Sequence, residues 1–171
     1  AINLKEDDQL IAVRRVKSGE DVIMVSSAGK AIKWNEGEVR SMGRDTMGVR
    51  GMTVPANTKV LGLEIARPDT DLLVITENGY GKRTPVSEYP SHHRGGQGVF
   101  TIVMTAKKGN LSAMKVVAES DELMIISESG IIIRTKAADV SELGRATQGV
   151  RVMNVANKDK VTAVAISTED D

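Results

Sequence analysis

The sequence predicts an all-β protein, a propeller-like array of four-stranded blades built from three repeats of about 50 residues. Two patterns predict it. Asp21–Gly29, Asp71–Gly79 and Glu122–Gly130 align as an acid, an apolar run and a closing glycine. Nineteen residues after each of those glycines stands a Gly-Val pair: Gly48-Val49, Gly98-Val99 and Gly149-Val150. The three units therefore align without a gap over this stretch. Composition agrees: 16 Gly against 4 Pro, with 2% aromatic residues, suits many tight turns between short strands rich in Val, Ile, Leu and Met.

Each unit reads as four strands. The apolar runs Val22–Ser26, Leu72–Thr76 and Leu123–Ser127 are expected to be buried on both faces. Each ends in a turn at Ala28-Gly29, Asn78-Gly79 or Ser129-Gly130. Asn-Gly is a strong hairpin signal, because both residues accept positive φ. A further strand follows at Lys30–Trp34, Tyr80–Thr84 and Ile131–Thr135. A polar loop then leads to Gly-Val and a strand at Val49–Val54, Val99–Met104 and Val150–Val155. The strand opening each next unit is Val60–Ala66, Leu111–Val117 and Val161–Ser167, with residues 10–16 supplying it for the first unit. Ile2-Asn3-Leu4 reads as the tail of a strand from a preceding unit. The blades are placed at about 5–54, 55–104 and 105–155, all within one domain spanning 1–171, with a final strand and acidic tail at 156–171. Three blades cannot close a ring of the usual size. With no initiator Met at residue 1, the chain is expected to be an excised part of a longer protein, about half of a larger disc or a unit that dimerises to complete one.

Composition excludes several functions. The chain has no Cys, so it has no disulfide framework, zinc finger or thiol nucleophile. No apolar run is long enough to span a bilayer, and the acidic start Glu6-Asp7-Asp8 is unlike a signal peptide. The aromatic residues are too few to stack single-stranded bases. No Ser/His/Asp pattern stands out, Tyr80 and Tyr89 read as a strand residue and a loop anchor, and Trp34 reads as edge packing. No catalytic residue is expected. His92 and His93 are adjacent without other spaced ligands, so no metal is expected either.

Charge recurs with the repeat. The 23 Lys and Arg balance the 23 Asp and Glu. Zero net charge does not preclude a local basic face, and Glu169-Asp170-Asp171 removes three units at the end. Four residues after each hairpin glycine stand Lys33, Arg83 (beside Lys82) and Arg134. Four residues before each Gly-Val stand Arg44, Arg94 and Arg145. Just after it stand Arg50 and Arg151, with Phe100 in the middle unit. In a blade array such positions form a line of charge suited to the phosphates of a curved duplex. The alternative is structural: each Arg pairs with a recurring acid such as Asp21, Asp71 or Glu122. The loop His92-His93-Arg94-Gly95-Gly96-Gln97-Gly98 adds His93 beside Arg94, and its glycines Gly95 and Gly96 would let a phosphate approach the backbone. It lacks the Gly-Lys-Ser/Thr ending of a P-loop.

Three strings carry a family resemblance: Met42-Gly-Arg-Asp-Thr-Met-Gly-Val-Arg-Gly51, Asn78-Gly-Tyr-Gly-Lys-Arg-Thr84 with Ser87-Glu-Tyr-Pro90, and Gly144-Arg-Ala-Thr-Gln-Gly-Val150. Together they make the chain resemble the C-terminal domain of the A subunit of bacterial DNA gyrase over its whole length. By order, the units are similar to the last three of that family's six blades. The resemblance implies a β-pinwheel, in which blades exchange strands, and a basic perimeter that wraps duplex DNA in support of negative supercoiling. The family's hallmark is the box Gln-Arg/Lys-Arg-Gly-Gly-Arg/Lys-Gly. His92–Gly98 matches its Arg-Gly-Gly and last Gly only, a degenerate copy.

The resemblance further implies a non-catalytic part of an ATP-dependent type II topoisomerase. It carries no cofactor of its own; ATP and Mg2+ belong to other domains of the parent enzyme. The implied partners are duplex DNA, the rest of the gyrase A chain, and the gyrase B chain in an A2B2 heterotetramer. The implied location is cytoplasmic and nucleoid-associated, away from membranes. Thr168–Asp171 is similar to the start of the family's acidic tail. Topoisomerase IV, whose blades steer substrate choice, is the nearest alternative; a propeller used as a protein-interaction platform is another.

Overall fold

The computed structural model describes residues 2–167. The acidic end at Thr168–Asp171 lies outside them. The described residues form eleven strands: β1 (Asp21–Ser26), β2 (Lys30–Asn35), β3 (Val60–Ile65), β4 (Asp71–Thr76), β5 (Tyr80–Pro85), β6 (Val99–Phe100), β7 (Leu111–Val117), β8 (Glu122–Ser127), β9 (Ile132–Lys136), β10 (Val150–Arg151) and β11 (Val161–Ser167). They make three antiparallel sheets with the orders β3-β1-β2-β6, β10-β5-β4-β7 and β11-β8-β9.

These orders answer a question that composition leaves open. The outermost strand of each four-stranded sheet comes from the next repeat. Val99-Phe100 pairs with Lys30-Ala31, and Val150-Arg151 pairs with Tyr80-Gly81. Neighbouring blades thus exchange strands, which separates a pinwheel from an ordinary propeller. The inner strands also differ from the expected grouping. Residues 60–66 were expected to open the following unit, but β3 bonds to β1 of the unit before it. β7 and β11 behave the same way toward β4 and β8. At the hub, β7 packs beside both β3 and β11.

The same exchange explains two expected strands that do not form. Residues 10–16 and the stretch from Val49 to Val54 are irregular. By the pattern of β3 and β6, their partners would be strands of a preceding unit, and the described residues contain none. Without a partner ladder, an extended segment has no sheet hydrogen bonds to make. Asn3 still donates to the Thr46 carbonyl at 3.0 Å, as Thr53 does to Gly96 and Val103 to Thr147. Residues 2–4 therefore lie on the next unit's loop as their repeat equivalents do, although not as a strand.

Each hairpin uses one left-handed residue. Gly29, Gly79 and Gly130 have φ of 82, 84 and 89°, and each N–H reaches back three residues, to Ser26, Thr76 and Ser127. Asn78 does not share the positive φ expected of an Asn-Gly turn. The loop has three residues, and only its last must be left-handed.

The core consists of apolar layers between the sheets. Leu72 and Val74 of β4 join Ile23 and Val25 of β1 on one side. Leu73 and Ile75 join Leu123 and Ile125 of β8 on the other. Alternation along β4 thus feeds two layers, and every residue of β4 is buried. β8 alternates between half-buried and buried and β1 keeps two half-buried positions, because among the described residues only the middle sheet is sandwiched by two others. A smaller layer, Val22, Ile32, Trp34 and Met52, covers the far face of the first sheet, so Trp34 is a core residue and not edge packing. Tyr89 is buried as an anchor. Its hydroxyl meets that of Thr101, and burial pushes its pKa up to about 12.

Strand exchange requires close backbone approach at the glycine before each Val. A Cβ on Gly98 would lie 2.3 Å from the Ala31 carbonyl oxygen, and one on Gly149 would lie 2.8 Å from that of Gly81. Both have left-handed φ, 74 and 75°. Gly48 has the same φ of 76°, but a Cβ there meets only Ile2 at 3.8 Å. Gly48→Ala is expected to cost about 1–2 kcal/mol from the left-handed backbone alone. Gly98→Ala adds a steric clash to that and should cost clearly more. Denaturant unfolding of the two variants checks this; equal losses would remove any special role for the exchanged strand.

Candidate nucleic-acid interface

The structure separates the recurring cations into three groups. The first staples one blade to the next. Arg94 donates from Nη1 to the Arg50 carbonyl at 2.7 Å and from Nε to the Glu38 carbonyl at 3.4 Å. Arg145 donates to the equivalent carbonyls one repeat later, those of Phe100 at 3.2 Å and Glu88 at 3.1 Å. Both guanidinium groups remain partly exposed. Arg44 has no hydrogen bond among the described residues, and it is exposed. The alternative of side-chain ion pairs is therefore not what holds Arg94 and Arg145; backbone carbonyls of the preceding loop are. Glu38 strengthens the first joint: one carboxylate oxygen accepts the Arg94 N–H at 2.5 Å and the other meets His93 Nδ1 at 2.7 Å. These bonds, the backbone one foremost, hold the Glu38 carboxyl below its usual range.

The second group, Lys33, Lys82 and Arg83, is drawn into the protein. Lys33 Nζ donates to the Val86 carbonyl of the next unit at 3.0 Å. Arg83 is buried, bonded to Asp71 at 2.5 Å and to the Val140 carbonyl at 2.8 Å, with Glu142 at 3.6 Å. Lys82 is fully buried, with Nζ bonded to the Gly144 and Arg145 carbonyls and the Thr147 hydroxyl at 2.6, 2.9 and 2.9 Å. Lys82 and Arg83 were expected on the DNA track. They face the joint between blades, where both cations donate to backbone carbonyls of the next unit. Arg134 is exposed but turned back onto its own sheet, bonded to Glu122 at 2.8 Å and Ser167 at 3.2 Å.

The third group lies on the outer edge. Arg50 and Arg151 are exposed. Arg151 sits 5.0 Å from the Tyr80 ring centroid and donates to the Tyr80 hydroxyl at 2.7 Å. Lys30 sits 5.0 Å from the Phe100 ring, which is 60% exposed. Lys107 stands 5.8 Å from Tyr80. Desolvation pushes the Tyr80 hydroxyl up, but Lys107 and Arg151 outweigh it and hold the group below its ordinary pKa. An open groove of about 700 Å³ runs past Lys30, Phe100, Arg145 and the acid Glu88. Gly95 and Gly96 lie in the loop above the first joint. Gly95 has φ of 85°, and the Gly95 and Gly96 carbonyls accept from the Thr53 hydroxyl and N–H.

Sequence reasoning missed Lys30, Tyr80, Phe100 and Lys107. The signal was available only in pairs. Lys30 and Tyr80 follow hairpin glycines, Phe100 and Arg151 follow the Gly-Val pairs, and strand exchange sets these positions opposite each other.

The family model for "DNA gyrase C-terminal domain, beta-propeller" matches residues 1–17, 20–67, 70–118 and 121–168. The chain belongs to the DNA gyrase C-terminal domain family. The DNA gyrase A protein of Staphylococcus epidermidis is 42% identical over 173 aligned residues, covering 100% of this chain and 19% of that protein. Its Staphylococcus aureus counterpart is 41% identical over 172, covering 99% and 19%. The chain spans about a fifth of the length of these relatives. A solved DNA gyrase A C-terminal domain superposes with a TM-score of 0.89 at 31% identity, covering 96% of this chain and 56% of that one. The C-terminal domain of DNA topoisomerase IV superposes with a TM-score of 0.90 at 25% identity, covering 96% and 52%. The gyrase family model's last three segments each end with the inner strand of a sheet, β3, β7 or β11.

The buried Lys82 makes one joint of this gyrase-family domain sensitive to pH. Burial lowers its pKa to about 8, the nearby Glu88 opposes this, and Lys108 and Arg145 reinforce it. From about pH 8 up to the ordinary lysine range, the unfolded chain holds this proton more tightly than the folded one. Stability contributed by this group therefore rises with pH across that window, and the cost of the buried charge is fully present below it. The melting temperature of wild type should gain more between pH 8 and 10 than that of Lys82→Met, which has no charge to relieve. Parallel profiles for the two proteins would show that Lys82 does not titrate there.

Proposed function

We propose that this chain binds duplex DNA along its outer edge, without reading sequence, as a non-catalytic part of a gyrase A protein. The observation that carries the reading is the recurrence of exposed and partly exposed cations on that edge. Arg44, Arg50, Arg94, Arg145 and Arg151 come from equivalent loops, joined by Lys30 and Lys107, and the His93 ring stands beside Arg94 as a further polar group. Cations spaced by a repeat meet phosphates at successive positions along a curved duplex. Bending a site of 20–30 bp costs about 1–6 kcal/mol, so several contacts must act together. Gly95 and Gly96 supply a loop that a backbone phosphate can approach. Lys33, Lys82 and Arg83 serve the same surface indirectly, by fixing the blades that present it, and Arg134 lies at its far end.

In this reading the duplex curves around the blades and biases strand passage toward negative supercoiling. Cleavage, ATP hydrolysis and Mg2+ binding are the work of the rest of the gyrase A chain and of the gyrase B chain in an A2B2 enzyme of the bacterial cytoplasm. Family membership and the gyrase A relatives support this assignment. The likeness to the topoisomerase IV domain supports a second reading, in which the same edge guides substrate choice.

Binding of a 100–150 bp duplex across a salt series tests the reading. Arg44, Arg50 and Arg151 are the cations to reverse, because reversal of Arg94 or Arg145 would also break a joint. The wild-type log–log slope should be steep and negative. The triple Arg44/Arg50/Arg151→Glu variant should flatten it by about 0.9 for each phosphate it no longer neutralises. An unchanged slope in a folded variant would take these arginines off the track. Closing nicked plasmid on the bound protein separates the two readings: a shift in linking number supports wrapping, and binding without a shift supports guidance alone.

A further inference from the structure

Two register pairs on the outer edge, each with one exposed member, are mirror images in chemistry. At the first joint the hairpin strand supplies the cation, Lys30, and the exchanged strand supplies the ring, Phe100. At the second joint the hairpin strand supplies the ring, Tyr80, and the exchanged strand supplies the cation, Arg151. Both cations stand 5.0 Å from the ring centroid. The chain's other two aromatic residues, Trp34 and Tyr89, are buried in the core. Every aromatic side chain that is not core therefore sits at this one register position, each time opposite a cation. In the third sheet the equivalent residue, Ile131, carries neither ring nor charge.

We propose that Phe100 and Tyr80 are positioning residues of the DNA track, each holding one rim cation where a phosphate will meet it. The proposal rests on the duplex-binding reading above. Free Lys and Arg side chains sample many rotamers, and ordering them on contact weakens binding. A cation resting on a ring face has already lost that freedom, while its charge stays open to solvent. Packing alone does not require a ring here: Phe100 is 60% exposed, so a smaller side chain would leave less apolar surface in water. Two further contacts fix the rings. Arg145 holds the Phe100 carbonyl at 3.2 Å, and Tyr80 accepts from Arg151 at 2.7 Å. Lys107 and Lys108, 5.8 and 5.9 Å from Tyr80, gather more positive charge around the second pair.

The test is a duplex-binding salt series on wild type, Phe100→Leu, Tyr80→Leu and a double variant, Lys30→Tyr with Phe100→Arg. The double variant rebuilds the second joint's pair at the first. Each Leu variant should bind several-fold more weakly, with a salt slope shallower by up to about 0.9, the equivalent of one phosphate. The double variant should hold the wild-type slope. Without DNA, the Lys30 Hε protons should resonate upfield under the Phe100 ring current and move downfield in Phe100→Leu. Wild-type slopes in folded Leu variants would overturn the proposal. So would a double variant no better than Phe100→Leu, or Lys30 protons free of a ring current. If wild type itself shows no salt-dependent binding, the duplex reading falls and this proposal with it. That result differs from one in which wild type binds and only the ring variants behave as wild type.

Discussion

The structure depends on one short interaction, the addition of a two-residue strand, Val99-Phe100 or Val150-Arg151, to the edge of the preceding sheet. Its hydrogen bonds are few, two registered residues at each joint. Its consequences are large, because the same addition brings the rest of the next unit's loop across the boundary. Arg94 and Arg145 then reach the carbonyls of the preceding loop, Lys33 and Arg83 reach the following one, and Tyr89 and Val140 close the layers between sheets. Glycine precedes Val99 and Val150 because the carbonyl of the neighbouring strand occupies the space a side chain would need. The backbone contact decides the residue type, and the apolar layers follow from where the contact places the sheets.

The two joints reach similar geometry by different chemistry. At the first, Ile32 lies beside the glycine loop, with Gly96 lacking a Cβ that would stand 3.3 Å from the Ile32 methyl. At the second, Lys82 takes the equivalent position and bonds the loop directly, while buried Lys108 reaches the Gln148 carbonyl. One joint is sealed by apolar contact and the other by buried charge satisfied by backbone acceptors. A buried, hydrogen-bonded ammonium adds little net stability but specifies a geometry, because any other arrangement leaves it without partners. The loop that Lys82 holds is also the one that carries Arg145.

Charge in this molecule is sorted by depth. The cations that repeat most regularly in the sequence are not the most exposed. Lys33 and Arg83 on the hairpin face the next blade, and Arg94 and Arg145 in the long loops serve both a carbonyl and the solvent. The positions just after Gly-Val, Arg50 and Arg151, hold exposed cations that can meet an external anion, as does Arg44 in its loop. That arrangement keeps a neutral chain with a local basic edge, and it spends part of the regular charge pattern on cohesion between blades.

The repeat, its period, the strand order within each hairpin and the turn glycines were legible in the sequence, because each depends on residues close together in the chain. An apolar run bounded by an acid and a glycine makes a strand and turn wherever it occurs. The family followed from the same local strings. What only the tertiary structure decided was partnership across repeats: that Val99 adds to β2 and not to its own unit, that β3 closes the sheet before it, that Lys82 and Arg83 point inward, and that Lys30 meets Phe100. Identical spacing places Lys33, Arg83 and Arg134 at one position of the repeat, yet they end half-buried, buried and exposed. The reason is that the depth of a side chain depends on whether another sheet lies over it, and among the described residues the middle unit alone has neighbours on both sides.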